Sequence, residues 1–196
     1  MNHSDKILEM ASENNGIVTS SQVTKAGIPR HYLSKLETNH LLYKADRGIY
    51  VLPDAWEDEM YILQMRYSRG IFSHESALYL LNFTDRVPFK HTLTFPYGYH
   101  SQSIQNESVV VKHSIPALYK LGISKTMTAY NHPVQVYNIE KTLCDISRGQ
   151  STDIQIITDA MKRYLGSEQK NIPLLMDYAK KTHVENKIRR YVEALL

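Results

Sequence analysis

The fold is decided by residues 17–52, whose sequence is IVTSSQVTKAGIPRHYLSKLETNHLLYKADRGIYVL. Ser20 and Ser21 are of a residue type that caps helices, and they predict a short helix over residues 22–26. Gly27 then supplies the permissive backbone that a tight turn needs. A helix followed by a tight turn is the first half of a helix-turn-helix.

The second helix of this unit should begin at Pro29, a favoured residue at a first helical position, and run to about residue 39. At 3.6 residues per turn, Leu33 and Leu36 fall on one side of this helix. Four polar residues fall on the other side, namely His31, Ser34, Lys35 and Thr38. One side can therefore pack while the other enters the major groove of DNA.

A β-hairpin is predicted to follow the second helix. Residues 41–44 and 49–52 have strand composition, and residues 45–48 contain the Asp and Gly that tight turns favour. The hairpin would form a wing with Arg47 near its tip. The alternative is a generic pair of helices with a hairpin that closes a small core, and such units also bind proteins.

The net charge of the region around the second helix and the wing favours DNA binding. Residues 25–47 hold five basic and two acidic side chains, a net charge of +3, although the first 55 residues sum to zero. Local potential governs the approach to phosphates more than total charge does, so a small DNA footprint is predicted.

Composition places the chain among ordinary globular proteins. Its 196 residues are 42% hydrophobic and 22% charged, and they suit one large or two small domains. No apolar run approaches the roughly 18 residues of a membrane span, and the polar start is unlike a secretory signal, so we expect a cytoplasmic protein. Cys144 is the sole cysteine, which excludes an internal disulfide and predicts a packed thiol.

The sequence predicts an α+β protein of two domains, residues 1–54 and residues 55–196. A first helix capped by Ser4 and ending before Gly16 completes the winged unit, and Trp56 opens a new helix after the boundary. In the second domain, Ser73 is predicted to cap a helix. Strands are expected at 91–95, 108–112 and 134–137, and helices at 139–148, 151–165 and 171–195, the last broken near Thr182 and His183.

Catalytic motifs are absent from the sequence. It has no phosphate loop, no GxGxxG, no nucleophile elbow and no HExxH, so we expect no enzyme, no cofactor and no metal site. A nuclease that is targeted to DNA is one alternative function. Its carboxylates and lysine would have to come from Asp85, Glu107, Glu140, Lys141 and Asp145, whose spacing is not diagnostic.

Six short motifs occur in a characteristic order. In the winged region these are residues 16–19, 26–28, 33–36 and 47–50, and in the second region they are residues 73–78 (SHESAL) and 137–145 (YNIEKTLCD). Together they resemble the AbiEi family, the antitoxins of abortive-infection AbiE systems, in their streptococcal type. The last two resemble the helix after the linker and the E-[RK]-T-L-x-D helix of that family.

This resemblance implies a specific function. AbiEi proteins are type IV antitoxins whose winged domain represses their own operon at promoter inverted repeats and whose C-terminal domain counteracts a nucleotidyltransferase toxin, without a requirement for a stable complex. It also implies phage defence, and we expect a monomer in solution with two protomers on the operator. The DNA-binding residues would be Arg30, His31, Ser34, Lys35, Lys44 and Arg47.

Two helices of the second domain allow more than one interpretation. Asn138 can cap the E-K-T-L-x-D helix and Lys141 can pair with Asp145, so we favour a structural role there. The basic residues near the C-terminus form either a solvated face or a contact surface for toxin or nucleic acid, comprising Lys180, Lys181, Lys187 and Arg190. The main alternative function is a transcriptional repressor whose C-terminal domain senses a ligand or dimerises.

Overall fold

The computed structural model of the protein describes residues 2–100, 109–149 and 151–195. These residues fall into two compact units, the first within residues 1–66 and 127–133 and the second within residues 67–126 and 134–196. The first unit is larger than the predicted domain of residues 1–54, because Asp58 and the segment 127–133 pack with the winged region.

The first unit contains four helices and a three-stranded antiparallel sheet. Its elements are α1 (His3–Glu13), β1 (Ile17–Thr19), α2 (Ser20–Lys25), α3 (His31–Thr38), β2 (Tyr43–Asp46), β3 (Ile49–Val51) and α4 (Glu59–Arg66). The strand order is β1-β3-β2. The predicted hairpin is confirmed as β2 and β3, and β1, which we did not predict, pairs with β3 through Val18 opposite Tyr50.

The N-terminal caps differ from the predicted ones. Asn2 caps α1 in a reciprocal capping box with Asp5, so Ser4 was the wrong cap. Thr19, not Ser20 or Ser21, caps α2. In both cases the cap is the last residue with extended backbone, whose side chain can reach the free amide groups of the first turn.

Two further helix starts differ from the prediction. Helix α3 begins at His31 rather than at Pro29. Arg30 occupies its N-cap position, but the Arg30 side chain forms no capping hydrogen bond. The helix α4 begins at Glu59 rather than at Trp56, because the Asp58 carboxylate accepts a hydrogen bond from the amide of Tyr61 at 3.1 Å.

The core of the first unit contains one side of each of the helices α1, α2 and α3. Leu33 and Leu36 of α3 are buried as predicted. They share a cluster with Ile7, Ala11, Val18, Val23, Ile28, Leu42 and Tyr50. Burying one large aliphatic side chain contributes about 1.5–3 kcal/mol, so this cluster stabilises the orientation of α3 relative to α1 and the sheet.

The second unit combines a sheet with a helical layer. Its elements are β4 (Ile71–Phe72), α5 (His74–Leu80), β5 (His91–Pro96), β6 (Val109–Ser114), α6 (Pro116–Tyr119), β7 (Ile123–Met127), β8 (Pro133–Tyr137), α7 (Ile139–Ser147), α8 (Ile154–Leu165), α9 (Ile172–Lys181) and α10 (Glu185–Leu195). The strand order is β6-β5-β4-β8-β7. The predicted α+β class is therefore confirmed.

Most predicted elements of the second unit are present. The strands β5, β6 and β8 were predicted, although Ser108 lies outside the described residues. The strands β4 and β7 were not predicted. The predicted break in the last helix is confirmed, because His183 between α9 and α10 adopts φ +60°.

Helix α7 occupies the centre of the second unit, and every one of its residues is buried. Its apolar residues, Cys144 among them, pack against α5, α8, α9 and α10. Burial raises the pKa of the Cys144 thiol to about 12, so the predicted packed thiol is confirmed. None of the helices in the described part of the chain has the length and hydropathy of a membrane span.

Candidate DNA-binding surface

The polar side of α3 faces solvent. Leu33 and Leu36 are each 1% exposed, whereas His31, Ser34 and Lys35 on the other side are exposed. The hydroxyl of Thr38 donates a hydrogen bond to the carbonyl of Ser34 at 2.9 Å, within the helix. The predicted division between a packing side and a free side is confirmed.

Two residues at the start of α3 are held by neighbours. The Nε of Arg30 donates a hydrogen bond to Oγ1 of Thr24 on α2 at 2.8 Å. The ring of His31 lies 4.3 Å from that of Tyr32, which meets His3 of α1 edge-on at 4.9 Å. Side chains that are positioned before binding lose less conformational entropy when they meet a partner.

The wing presents two cations. Lys44 on β2 and Arg47 in the turn are both exposed. Gly48 beside Arg47 adopts φ +75°, and a Cβ there would lie 2.5 Å from Oγ of Ser20, so the turn requires glycine. Asp46, the last residue of β2, forms an ion pair with Arg66 at 3.0 Å. This pair offsets the repulsion between the Asp46 carboxylate and DNA phosphates.

All six predicted DNA-binding residues therefore lie exposed on α3, at its start or on the wing. That they contact DNA stays a prediction. Sequence reasoning missed the two contacts that hold Arg30 and His31, because both depend on how α1 and α2 pack against α3.

Comparison with known families now bears on this region. Residues 5–53 match the family model of the AbiEi antitoxin transcriptional regulators. The match covers about a quarter of the chain and ends at the close of the wing. It supports the antitoxin family that the winged region resembles.

The chain was also compared with solved structures and with curated proteins. The crystal structure of the RV2827C protein from Mycobacterium tuberculosis is similar to the chain at 14% identity and a TM-score of 0.49, and the alignment covers 97% of this chain and 80% of that one. The comparison with curated proteins gives no match.

Outside residues 5–53, the structure brings together only part of the predicted C-terminal contact set. Lys180 and Lys187 line one cavity of about 720 Å³ with Arg148 and His183. Lys187 also donates a hydrogen bond from Nζ to the carbonyl of Ser147 at 2.9 Å. Lys181 instead pairs with Asp177 at 2.6 Å, and Arg190 is exposed away from the cavity lining.

The acidic residues considered for a nuclease have other partners. Asp85 pairs with Arg163 at 3.3 Å, Glu140 accepts a hydrogen bond from the Tyr164 hydroxyl at 3.0 Å, and Asp145 pairs with Lys141. Glu107 lies outside the described residues. Within the described ranges, no three His, Cys, Asp or Glu side chains converge as metal ligands do.

A second polar cluster lies in the second unit and was not predicted. Ser73 occupies the N-cap position of α5, as predicted, but its side chain does not cap the helix. Its hydroxyl instead accepts a hydrogen bond from Thr94 at 2.8 Å and lies 3.0 Å from Nδ1 of His74. Burial lowers the pKa of His74 to about 4; Asp145 opposes this shift, while Lys112 and Lys141 add to it.

The lowered pKa of His74 predicts a pH-dependent stability. Between about pH 6.5 and pH 4 the unfolded chain binds a proton at this ring while the folded chain does not, so acidification should favour unfolding. On going from pH 7 to pH 5, the wild type should lose about 1–2 kcal/mol more unfolding free energy than His74→Asn. Asparagine suits the left-handed backbone of His74, φ +52°.

Urea denaturation at the two pH values would measure this difference. His183→Asn is the matched control, because it replaces an exposed histidine that also adopts a left-handed conformation, φ +60°. An equal loss of stability in the wild type and His74→Asn would contradict the prediction.

Proposed function

We propose that the protein is a DNA-binding transcriptional regulator of the AbiEi antitoxin type. The observation that carries this proposal is the match of residues 5–53 to that family, over a winged unit whose basic residues are exposed. Lys35 and Arg47 can reach base edges or phosphates from α3 and the wing, as in other helix-turn-helix proteins. The bases themselves would be read by α3.

The finer proposal is a type IV antitoxin. Its winged unit represses its own operon at inverted repeats, with one protomer on each half-site, because a small single module buries roughly 600–1,000 Å² and covers one groove segment. Its second unit counteracts a nucleotidyltransferase toxin in phage defence. A nucleotidyltransferase reading frame immediately downstream of the gene would support this proposal.

Two substitutions should separate base recognition from backbone binding. Lys35→Ala should reduce the preference for operator over scrambled DNA by about 1–3 kcal/mol, because a lysine at a base edge discriminates between bases. Arg47→Ala should weaken binding to both DNAs and reduce the salt slope by about one, because it loses one phosphate contact.

Fluorescence anisotropy against both DNAs across a salt series would measure these effects. Lys162→Ala removes an exposed lysine from α8 of the second unit and is the matched control. Unchanged affinity in both winged variants would show that the DNA-binding surface lies elsewhere.

Toxin counteraction should depend on other residues. Lys35→Ala and Arg47→Ala should still rescue cells from the toxin, whereas Lys180→Glu with Arg190→Glu should rescue poorly and still bind operator DNA. Both C-terminal side chains are exposed, so the double variant should fold. Growth with induced toxin, beside Lys162→Glu as a charge-matched control, would test this separation, and full rescue by the double variant would rule out this basic surface.

A further inference from the structure

A small polar cavity in the second unit has no role in the functions proposed above. Its volume is about 220 Å³. Its lining includes His74, Thr94, Lys112, Ser114, Arg148 and Ser151. The residues come from β5, β6, the start of α5 and the region after α7, so several separate segments converge on one space.

The charges around this cavity do not cancel. Lys141 and Asp145 also line it, but Nζ of Lys141 lies 2.5 Å from the Asp145 carboxylate, so these two charges offset each other. Lys112 and Arg148 form no ion pair with any residue that the structure describes. Two cations therefore remain without a counter-ion at this cavity. Lys112 is half-buried and Arg148 is exposed, so electrostatic attraction exceeds its value in water chiefly at Lys112.

His74 lines the cavity and has an unusual backbone conformation. Its φ of +52° costs on the order of 1–3 kcal/mol for a residue other than glycine. Five other described residues of this kind, Asn15, His40, Asn82, Asn131 and His183, are exposed, whereas His74 is half-buried in the cavity wall. Strain of this size in a cavity wall often accompanies a functional site.

The contact between His74 and Ser73 is compatible with a tautomer whose proton is on Nε2. Because Ser73 Oγ accepts a hydrogen bond from Thr94, its own hydroxyl hydrogen can be donated to Nδ1 of His74. A neutral imidazole that accepts at Nδ1 carries its proton on Nε2. In this tautomer the ring offers Nε2–H as a donor, and Lys112 lines the same cavity.

We propose that this cavity binds the phosphate group of a small ligand, held by Lys112, Arg148 and the Nε2–H of His74. Lysine, arginine and N–H donors are the groups that bind phosphate oxygens in proteins. Its volume is below the roughly 300–1,000 Å³ of sites that enclose a whole drug-sized ligand, so it suits one charged group. Among the described residues, no Phe, Tyr or Trp lines this cavity, whereas Phe89 lines a neighbouring one.

A neighbouring cavity provides room for the rest of such a ligand. It also has a volume of about 220 Å³ and shares His74, Lys112 and Ser151 with the first. A phosphate site in the second unit favours the ligand-sensing alternative for that unit. It is independent of DNA recognition, since none of its residues belongs to the winged unit.

Isothermal titration of the full-length protein would test the proposal. The probes are inorganic phosphate and adenosine monophosphate, with adenosine as the phosphate-free control, all at one ionic strength. The wild type should bind both phosphate probes and not adenosine. Lys112→Ala and Arg148→Ala should each weaken binding about tenfold, as the loss of one charged hydrogen bond predicts.

Two further variants complete the test. His74→Asn keeps the left-handed backbone and removes the ring donor, so it should also weaken binding, while Lys162→Ala should bind like the wild type. Tighter binding of the nucleotide than of phosphate would identify a phosphate ester as the ligand, and equal binding would identify free phosphate. An absence of binding at millimolar phosphate would overturn the proposal, and so would an equal loss of affinity in Lys162→Ala. Displacement of phosphate by a single-stranded oligonucleotide far more effectively than by the nucleotide would also overturn it.

Discussion

Replacing His132 by alanine should lower the free energy of unfolding of the first unit by about 3–5 kcal/mol. His132 is fully buried, and its Nδ1 lies 2.8 Å from a carboxylate oxygen of Asp58, which is 2% exposed. Removing the imidazole would leave the Asp58 charge buried with a partner lost. Loss of one member of a buried ion pair is among the costliest single changes in a protein.

Acceptor oxygens lie beside both ring nitrogens of His132. Nδ1 faces Asp58, and Nε2 lies 3.1 Å from the carbonyl oxygen of Asn14. Thr128 and the amide of Tyr61 donate the remaining hydrogen bonds to Asp58, and the Tyr61 ring stacks on the imidazole at 4.3 Å. A network with every member satisfied stabilises the attachment of segment 127–133 to the winged region.

The single tryptophan makes this prediction measurable. Trp56 belongs to the first unit and stacks near Tyr130, so its fluorescence in urea should follow the unfolding of that unit. Asp58→Ala and the double variant complete a mutant cycle. The double variant should lose less than the sum of the single changes, because neither group is then left buried without its partner. Additive losses would show that the two groups do not act as a pair.

The sequence predicted correctly those features that depend on residues close to one another in the chain. The alternation of apolar and polar residues on α3 and the turn composition at residues 45–48 both correspond to the structure. The caps were misassigned although Thr19 and Gln22 form a sequence-level capping box, three residues apart. That signal was present, and weighing it would have placed the start of α2 correctly.

The remaining features have no local signal. Asp58 and His132 are 74 residues apart in sequence, so neither periodicity nor composition could pair them. The same holds for the proposed phosphate cavity, because Lys112 lies on β6 and Arg148 directly follows α7. Ser73 was expected to cap α5, but tertiary contacts with Thr94 and His74 take its hydroxyl instead.

Replacing Asp145 by asparagine should destabilise the second unit by about 3–5 kcal/mol. Lys141 and Asp145 lie one turn apart on α7, and their side chains are only 3% and 10% exposed. The Lys141 ammonium also lies 4.6 Å from the centre of the Tyr137 ring, a contact that attracts the cation but cannot replace a carboxylate. Asparagine keeps the size of the side chain, so the loss would measure the charge and not a cavity.

Asp177→Asn is the matched control for this change, because it breaks another Asp–Lys pair one helical turn apart. That pair, with Lys181, is about half exposed, so its loss should cost less than about 1 kcal/mol. Far-UV circular dichroism in urea would measure both variants, since the second unit contains no tryptophan. Equal stability of Asp145→Asn and Asp177→Asn would show that burial does not strengthen the α7 pair. If phosphate binds beside Lys141, it should stabilise Asp145→Asn more than the wild type, because the variant leaves a third cation without a counter-ion.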